Sequence, residues 1–193
     1  MKILITGASG LVGTALWDHL RKGGQNVGRL LRNRVRGASP CWNIDKGEVD
    51  LGEFGEPDAI VHLAGENIAQ GRWNDAKKQR ILSSRVNSTR FLVDCVSKMS
   101  VKPKVLISAS AIGFYGDRAA DVMDEQDTHG QGFVSEVAIK WEAASLPAMD
   151  YGVRVVNIRT GMVLSPKGGA LGKMLLPFKL GLGGLIGSGL QYV

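Results

Sequence analysis

Metal and disulfide chemistry have almost no foothold in this chain. Its 193 residues include two cysteines, Cys41 and Cys95, and three histidines. None stands at metal-ligand spacing, so the cysteines are expected to be reduced, mostly buried thiols and no metal site is expected. Aromatic residues make up 6% of the chain and do not interleave with a basic run. The net charge of +6 is therefore the only feature that suggests nucleic acid, and phosphate-bearing small ligands account for it equally well. A membrane span needs roughly 20 apolar residues in a row. The nearest candidate, Leu171 to Leu190, is broken by Lys173, Pro177, Lys179 and many glycines. Met1 leads straight into a β-prone run, without the basic, apolar and cleavage segments of a leader, which sets the expectation of a cytoplasmic protein. Asp117, Asp121, Asp124, Glu125 and Asp127 make one loop acidic, but not at calcium-binding spacing.

What is present begins at the first residue. Lys2-Ile3-Leu4-Ile5-Thr6 reads as a strand, Gly7-Ala8-Ser9-Gly10-Leu11-Val12-Gly13 as a turn, and Leu11, Ala15, Leu16 and Leu20 recur at helical spacing. Strand, glycine turn and helix in that order form a nucleotide-binding unit. Gly7 can take the positive φ of a tight turn, Gly10 lets a diphosphate approach the backbone, and Gly13 lets the helix sit close on the strand. The helix N-terminus then presents free N–H groups to the phosphates.

A second absence bears on the choice of dinucleotide. NAD-binding folds place an acidic residue about 20 positions past the glycines, on the adenosine ribose. Here no acid occurs between Asp18 and Asp45, and the second strand, Asn26 to Leu31, ends in Arg32-Asn33-Arg34 with Arg36 close behind. A guanidinium at Arg32 suits a 2′-phosphate, so the cofactor expected is NADP(H). The other reading of these arginines is a solvated basic loop.

Further strands are expected at Ser39 to Ile44, Asp58 to Leu63, Lys104 to Ser108 and Val153 to Arg159. The second of these ends in Ala64-Gly65-Glu66-Asn67, small residues that leave room for a cofactor crossing the sheet. His62 reads as a hydrogen-bonded core histidine. A long helix is expected from Asn74 to about Met99 and another from Phe133 to Met149. The long helix carries apolar residues on more than one face, which allows a homodimer. Arg85 on it is either a cofactor-phosphate ligand or a surface arginine. The alternation predicts an α/β fold with a doubly wound parallel sheet, a Rossmann fold of strand order 3-2-1-4-5-6. Residues 1–165 form the NADP-binding domain in this reading. Glycine-rich residues 166–193 are the start of an incomplete substrate-facing lobe.

These stretches, with His62-Leu63-Ala64-Gly65, Ser108-Ala109-Ser110, Tyr115-Gly116 and Ile158-Arg159-Thr160-Gly161, resemble the extended short-chain dehydrogenase/reductases. Ala64-Gly65-Glu66-Asn67-Ile68, Arg72-Trp73, Ser84-Arg85, Lys140-Trp141-Glu142-Ala143-Ala144 and Leu175-Leu176-Pro177-Phe178 are similar to one atypical branch, the epimerase family proteins of the 39U type. The resemblance covers essentially the whole chain. It implies an NADP(H) site made by Gly7, Ser9, Gly10, Leu11, Val12, Gly13, Arg32, Leu63, Ala64, Gly65, Glu66 and Arg85. It also implies an unknown small-molecule substrate, a sugar nucleotide or a carbonyl compound among the candidates, and Ser110 as the catalytic serine.

The pattern departs from the superfamily at its catalytic pair, Tyr-x-x-x-Lys. Tyr115 is followed four residues on by Ala119 and Tyr151 by Val155, while Tyr192 lies too near the end. Aligning Glu142 with the glutamate that usually follows the lysine puts Val134 and Ala138 in the tyrosine and lysine positions. Three functions stay open on the sequence: an NADP-dependent epimerase or oxidoreductase with a non-standard proton donor, a non-catalytic NADP(H) sensor, and a nucleic-acid binder suggested by charge alone.

Overall fold

The computed structural model describes residues 1–32, 40–185, 187 and 189. Asn33, Arg34 and Arg36 lie outside the described residues. Five parallel strands form the central sheet: β1 (Lys2–Thr6), β2 (Asn26–Leu30), β5 (Ala59–His62), β6 (Val105–Ala111) and β7 (Arg154–Thr160), in the order β2-β1-β5-β6-β7. Helix α1 (Leu11–Lys22) connects β1 to β2 on one face. Helices α2 (Asp75–Lys98) and α3 (Phe133–Ser145) make the crossovers β5 to β6 and β6 to β7 on the other.

Each face has its own apolar layer, as helices on both sides of a parallel sheet require. Ile3, Ile5, Ala59 and Val61 meet Leu16, Trp17 and Leu20 of α1. Leu4, Ile60 and Leu106 point the opposite way, to Leu92, Val93 and Val96 of α2. Alternate residues of the same strands serve the two layers, so shifting a strand by one residue would exchange them.

The doubly wound parallel class holds, with one local difference. The third expected strand is not a full member of the sheet. Its residues form β3 (Cys41–Asn43), paired antiparallel with β4 (Glu48–Asp50). It lies beside β2 through a single parallel bridge, Leu31 to Cys41. Pro40 has no N–H to extend the ladder, and Asn43 caps the hairpin turn by accepting from the Lys46 N–H at 3.1 Å. The strand order otherwise runs as read, with the third position reduced to that bridge.

Asn74 caps α2, its Oδ1 accepting from the Lys77 N–H at 2.9 Å. The helix expected to reach Met149 stops as an α-helix at Ser145. Leu146–Tyr151 continue it as a 3-10 turn with Pro147 in its first turn. A further helix not expected from the sequence, α4 (Gly169–Lys179), lies within the glycine-rich stretch 166–193. None of its residues is buried. Among the described residues no helix is long and apolar enough to cross a membrane.

Candidate functional site

The glycine turn sits at the carboxyl edge of β1, between β2 and β5. Gly7 has φ +66°, and a Cβ there would lie 2.6 Å from the Leu63 carbonyl. At Gly13 a Cβ would lie 2.3 Å from the Gly7 oxygen, so only glycine lets α1 start this close to the strand. The cap residue Gly10 leaves the helix start without a side-chain cap, and no acidic residue occupies the first turn. The N–H groups of that turn and the positive end of the helix dipole are left to serve an anion.

Two clefts open on this turn. One of about 330 Å³ is lined by Gly7 to Gly10, Arg32, Trp42 and Leu63 to Gly65. A wider one of about 890 Å³ lies on the other side of the turn, between Ser9 to Val12 and Val163, Ser165 and Lys167. Ser9 and Gly10 line both. A third hollow, about 250 Å³, continues from Arg32 and Trp42 to Asn43, Asp45, Ser84 and Asn87. The structure thus brings Gly7, Ser9, Gly10, Leu11, Val12, Arg32, Leu63, Ala64 and Gly65 to one connected rim, with Gly13 buried beneath it. Trp42, Asn43, Asp45 and Asn87 were not singled out from the sequence. Asp45 matters most, because the hairpin returns this acid to the hollow that Arg32 shares.

Under the rim a buried polar chain fixes the backbone. Thr6 Oγ1 accepts from the N–H groups of Leu63 and Ala64 at 3.1 and 3.2 Å. Its own hydrogen therefore goes to His62 Nδ1, 2.7 Å away. The other ring nitrogen then carries the proton and donates to Thr89 Oγ1 at 3.0 Å, which donates to the Arg85 carbonyl at 2.7 Å. Burial first, and the positive charge of Arg32 second, lower the His62 pKa from 6.5 to about 3. His62 is a neutral core histidine that ties the end of β5 to α2.

Arg85 folds back over Gly65, its guanidinium carbon 3.2 Å from where a Cβ would stand. It donates to the carbonyls of Ile81 and Glu66 at 3.0 and 3.2 Å and lies over the Trp141 ring. Glu66 faces a cation. Lys77 Nζ sits 2.7 Å from its carboxylate, with Arg80 at 3.8 Å. The hydrogen bond from Lys77 holds the Glu66 carboxyl below its ordinary pKa. Residues 66 and 85 therefore meet at the lip of the cleft, each engaged by neighbouring protein groups.

Ser110 lies two residues beyond Ser108, which the register aligns with His62 and Thr6. It belongs to the carboxyl edge, where open α/β sheets bind their ligands. Its hydroxyl donates to Glu142 Oε1 at 2.6 Å. Arg159, paired with Ser110 across β6 and β7, grips the same carboxylate through Nε at 2.9 Å and Nη2 at 3.0 Å. Arg159 Nη1 donates to the Tyr115 oxygen at 2.9 Å, and the Tyr115 hydroxyl donates to the Asp124 carbonyl at 2.7 Å. The Glu142 hydrogen bonds raise the Arg159 pKa further above its ordinary value. Glu142 and Arg159 as partners of Ser110 were missed. The available signal was the alternation along β7, which puts Arg159 on the face that α3 covers.

Helix α3 carries Val134, 45% exposed beside Gly113, and buried Ala138. Neither can exchange a proton. Among the described residues no group of histidine, cysteine, aspartate and glutamate could hold a metal.

A parallel sheet wound on both faces, with a glycine turn feeding a helix at its carboxyl edge, defines a Rossmann-type dinucleotide-binding domain. The chain belongs to the NAD dependent epimerase/dehydratase family, whose model matches residues 3–180. It is 43% identical over 192 residues to the epimerase family protein Mb2239 of Mycobacterium bovis, covering 99% of this chain and 63% of that relative. The human epimerase family protein SDR39U1, solved with NADPH, superposes with a TM-score of 0.84 at 38% identity, covering 99% of this chain and 64% of that one. A nucleoside-diphosphate sugar epimerase from Corynebacterium glutamicum superposes with a TM-score of 0.80, also at 38% identity, over 98% of this chain and 39% of that one. The chain thus spans less than two thirds of the length of these relatives.

Proposed function

We propose that this chain binds NADP(H) along the rim from Arg32 across the glycine turn, as part of an epimerase or oxidoreductase acting on a small molecule. The observation that carries the reading is the joined pair of clefts sharing Ser9 and Gly10. A dinucleotide has its charge in the middle and a ring at each end. The helix start would take the diphosphate, and the hollow at Trp42, Asn43 and Asn87 would take the adenine. Arg32 would pair with a 2′-phosphate, while Leu63, Ala64 and Gly65 would floor the middle of the cleft. Glu66 and Arg85 would border it, their mutual bonding holding the loop after β5 in place. The nicotinamide, when bound, supplies hydride exchange at the carboxyl edge near Ser110, the candidate catalytic residue. The human relative solved with NADPH supports the phosphorylated dinucleotide. Asp45 beside Arg32 is the feature that favours NAD, since a carboxylate can hold ribose hydroxyls.

Substrate candidates follow from the relatives' names, a sugar nucleotide first, with other carbonyl or hydroxyl compounds beside it. We read α4, whose Leu176 and Phe178 are more than half exposed, as the first element of a substrate-facing lobe. The test is titration of the protein with NADPH and NADH, followed by nicotinamide fluorescence and by melting temperature. At ~100 times Kd the bound nucleotide should add ~2.7 kcal/mol of stability. No shift with either nucleotide would sink the proposal.

A second reading, a non-catalytic NADP(H) sensor, is favoured by one specific observation. By the alignment on Glu142, Val134 and Ala138 occupy the positions of the proton-transferring pair on α3, and the one lysine of that helix, Lys140, is exposed and paired with Glu136. It predicts the same binding, with no turnover when the bound nucleotide is offered a panel of sugar nucleotides.

A further inference from the structure

Strand β7 ends the sheet on one side, and its outer edge is open. It makes ladder bonds to β6 alone, and among the described residues no loop backbone bonds to its far side. The Arg154 N–H donates inward, to the Lys104 carbonyl at 3.2 Å. Successive residues of a strand turn their backbone groups to opposite sides, so Val156, Ile158 and Thr160 also face β6. Val155, Asn157 and Arg159 then present their N–H and C=O groups outward.

Natural edge strands are blunted by proline, lysine or a bulge, or are kept short. β7 has seven residues in unbroken register with β6, and neither proline nor lysine among them. Its side chains add an apolar surface. On the α1 side of the sheet Val105, Ile107, Ala109 and Val156 are only half-buried, whereas Leu106, Ser108 and Ser110 on the other side are buried. Ile158, also on the α1 side, is 48% exposed. Parallel sheets are ordinarily covered on both faces.

This edge is complementary to itself. When two copies of β7 run antiparallel about Asn157, Asn157 meets Asn157 of the second copy, Val155 meets Arg159 and Val156 meets Ile158. The outward residues then fall opposite one another, and each N–H and C=O of Val155, Asn157 and Arg159 finds a partner. Val156 and Ile158 form the closely spaced pairs between those bonds, on the half-bare α1 side. The charges fit as well. Arg154 falls opposite Thr160, not another arginine, and Arg159 is already paired with Glu142 at 2.9 Å. Asn157 Oδ1 accepts from Ser145 Oγ at 3.0 Å, which leaves the Asn157 amide N–H groups for the axis. A two-fold interface requires such reciprocity, each residue meeting the one that meets it.

We propose that the outer edge of β7 is an interaction surface whose partner is a second copy of this chain, joined antiparallel about Asn157 into one continuous sheet. The contact is distinct from the helix-mediated homodimer that α2 allows. It goes beyond the nucleotide reading and does not depend on it. Antiparallel strands point the two carboxyl edges, and with them the clefts, to opposite ends of the dimer.

Sedimentation velocity of the 193-residue chain at concentrations up to about 100 μM should show a dimer. Ile158→Lys puts a charge into each Val156–Ile158 pair and should raise the dimer dissociation constant at least about tenfold, with the circular dichroism of the folded chain retained. A wild-type monomer at every concentration overturns the proposal. So does a dimer that Ile158→Lys leaves unchanged, which would move the contact elsewhere, to α2 first.

Cross-linking decides the point if Ile158→Lys fails to fold. Val156→Cys and Ile158→Cys are prepared separately and then mixed under mild oxidation. Opposite residues of a non-hydrogen-bonded pair have Cα atoms about 4.5 Å apart, within reach of a disulfide. The native cysteines are buried and stay out of the reaction. The mixture should cross-link at least about threefold more than either variant alone, where the thiols sit diagonally. Equal cross-linking, or none, overturns the register and the surface with it.

Discussion

Replacing Arg32 by alanine should separate the two dinucleotides. Arg32 is exposed where the cleft over the glycine turn meets the hollow of Trp42 and Asp45. An exposed substitution of this kind leaves stability within about 0.5 kcal/mol. Its charge nevertheless reaches the floor of the site, since it contributes to the low pKa of buried His62. A hydrogen bond to a charged group contributes ~1.5–3 kcal/mol. At ~1.4 kcal/mol per tenfold, losing the pairing with a 2′-phosphate should weaken NADPH by ~10- to 100-fold. NADH, with no 2′-phosphate, should change by less than about threefold, the scatter of a surface mutation. The assay is isothermal titration of wild type and Arg32→Ala with both nucleotides at one fixed salt concentration, because a surface charge pair is screened. An unchanged ratio of NADPH to NADH affinity would refute the role given to Arg32. The preference would then have to be argued from Asp45.

Gly13→Ala puts a Cβ 2.3 Å from the Gly7 oxygen. The ~1 kcal/mol that alanine brings to a helix is offset by an overpacking cost of ~1–3 kcal/mol, so melting temperature and NADPH affinity should both fall. A higher melting temperature would contradict the close approach of α1. His62, with its pKa lowered to about 3 from 6.5, makes the unfolded chain take up a proton that the folded chain refuses. Stability should therefore fall as pH drops from about 6.5 toward 3, by up to ~1.4 kcal/mol per pH unit. Urea midpoints between pH 7 and 4 should show this, with a shallower slope in His62→Asn; equal slopes would count against the neutral histidine. Lys77→Met removes the hydrogen bond that depresses Glu66. The Glu66 carboxyl should then titrate nearer the ordinary range by NMR, and an unmoved titration would assign the depression to Arg80 and Arg32.

Much of the fold was legible because its signals are local. The β-prone run Lys2 to Thr6 and the apolar stretch within Asp58 to Leu63 marked two strands, and the glycine spacing marked the turn between β1 and α1. Capping chemistry at Asn74 placed the start of α2 to the residue. The third strand was misjudged because its pairing depends on Pro40 and on the Asn43 turn, which favour a hairpin over a ladder. Helix α4 was missed since its glycines and Pro177 argue against helix one residue at a time. The rim was legible where a motif or a strand end carried it, at Gly7 to Gly13, at Arg32 and at Leu63 to Gly65. Gly7 to Gly13 sit together in the chain, but Ser110, Glu142 and Arg159 meet through strand register and a helix crossing. Asp45 shows the same limit, since only the hairpin of β3 and β4 brings it to the hollow that Arg32 also lines.

Binding and reaction make different demands on such a site, and the residues answer them differently. Binding needs an open backbone, a helix start free of acids and a cation at the far end, and all three are present around Gly10 and Arg32. Proton transfer to a carbonyl needs a hydrogen that is not already spent. At the edge of β6 the Ser110 and Tyr115 hydrogens are held by Glu142 and by the Asp124 carbonyl. Restoring a donor by Val134→Tyr with Ala138→Lys would therefore not simply repair a defect. Ala138 is 2% exposed, so the lysine would enter a packed layer and cost stability before it could lower the tyrosine's pKa. The clamp on Glu142 and the packing at Ala138 thus act on different requirements, the first on which hydrogens are free and the second on whether a lysine can be inserted at all.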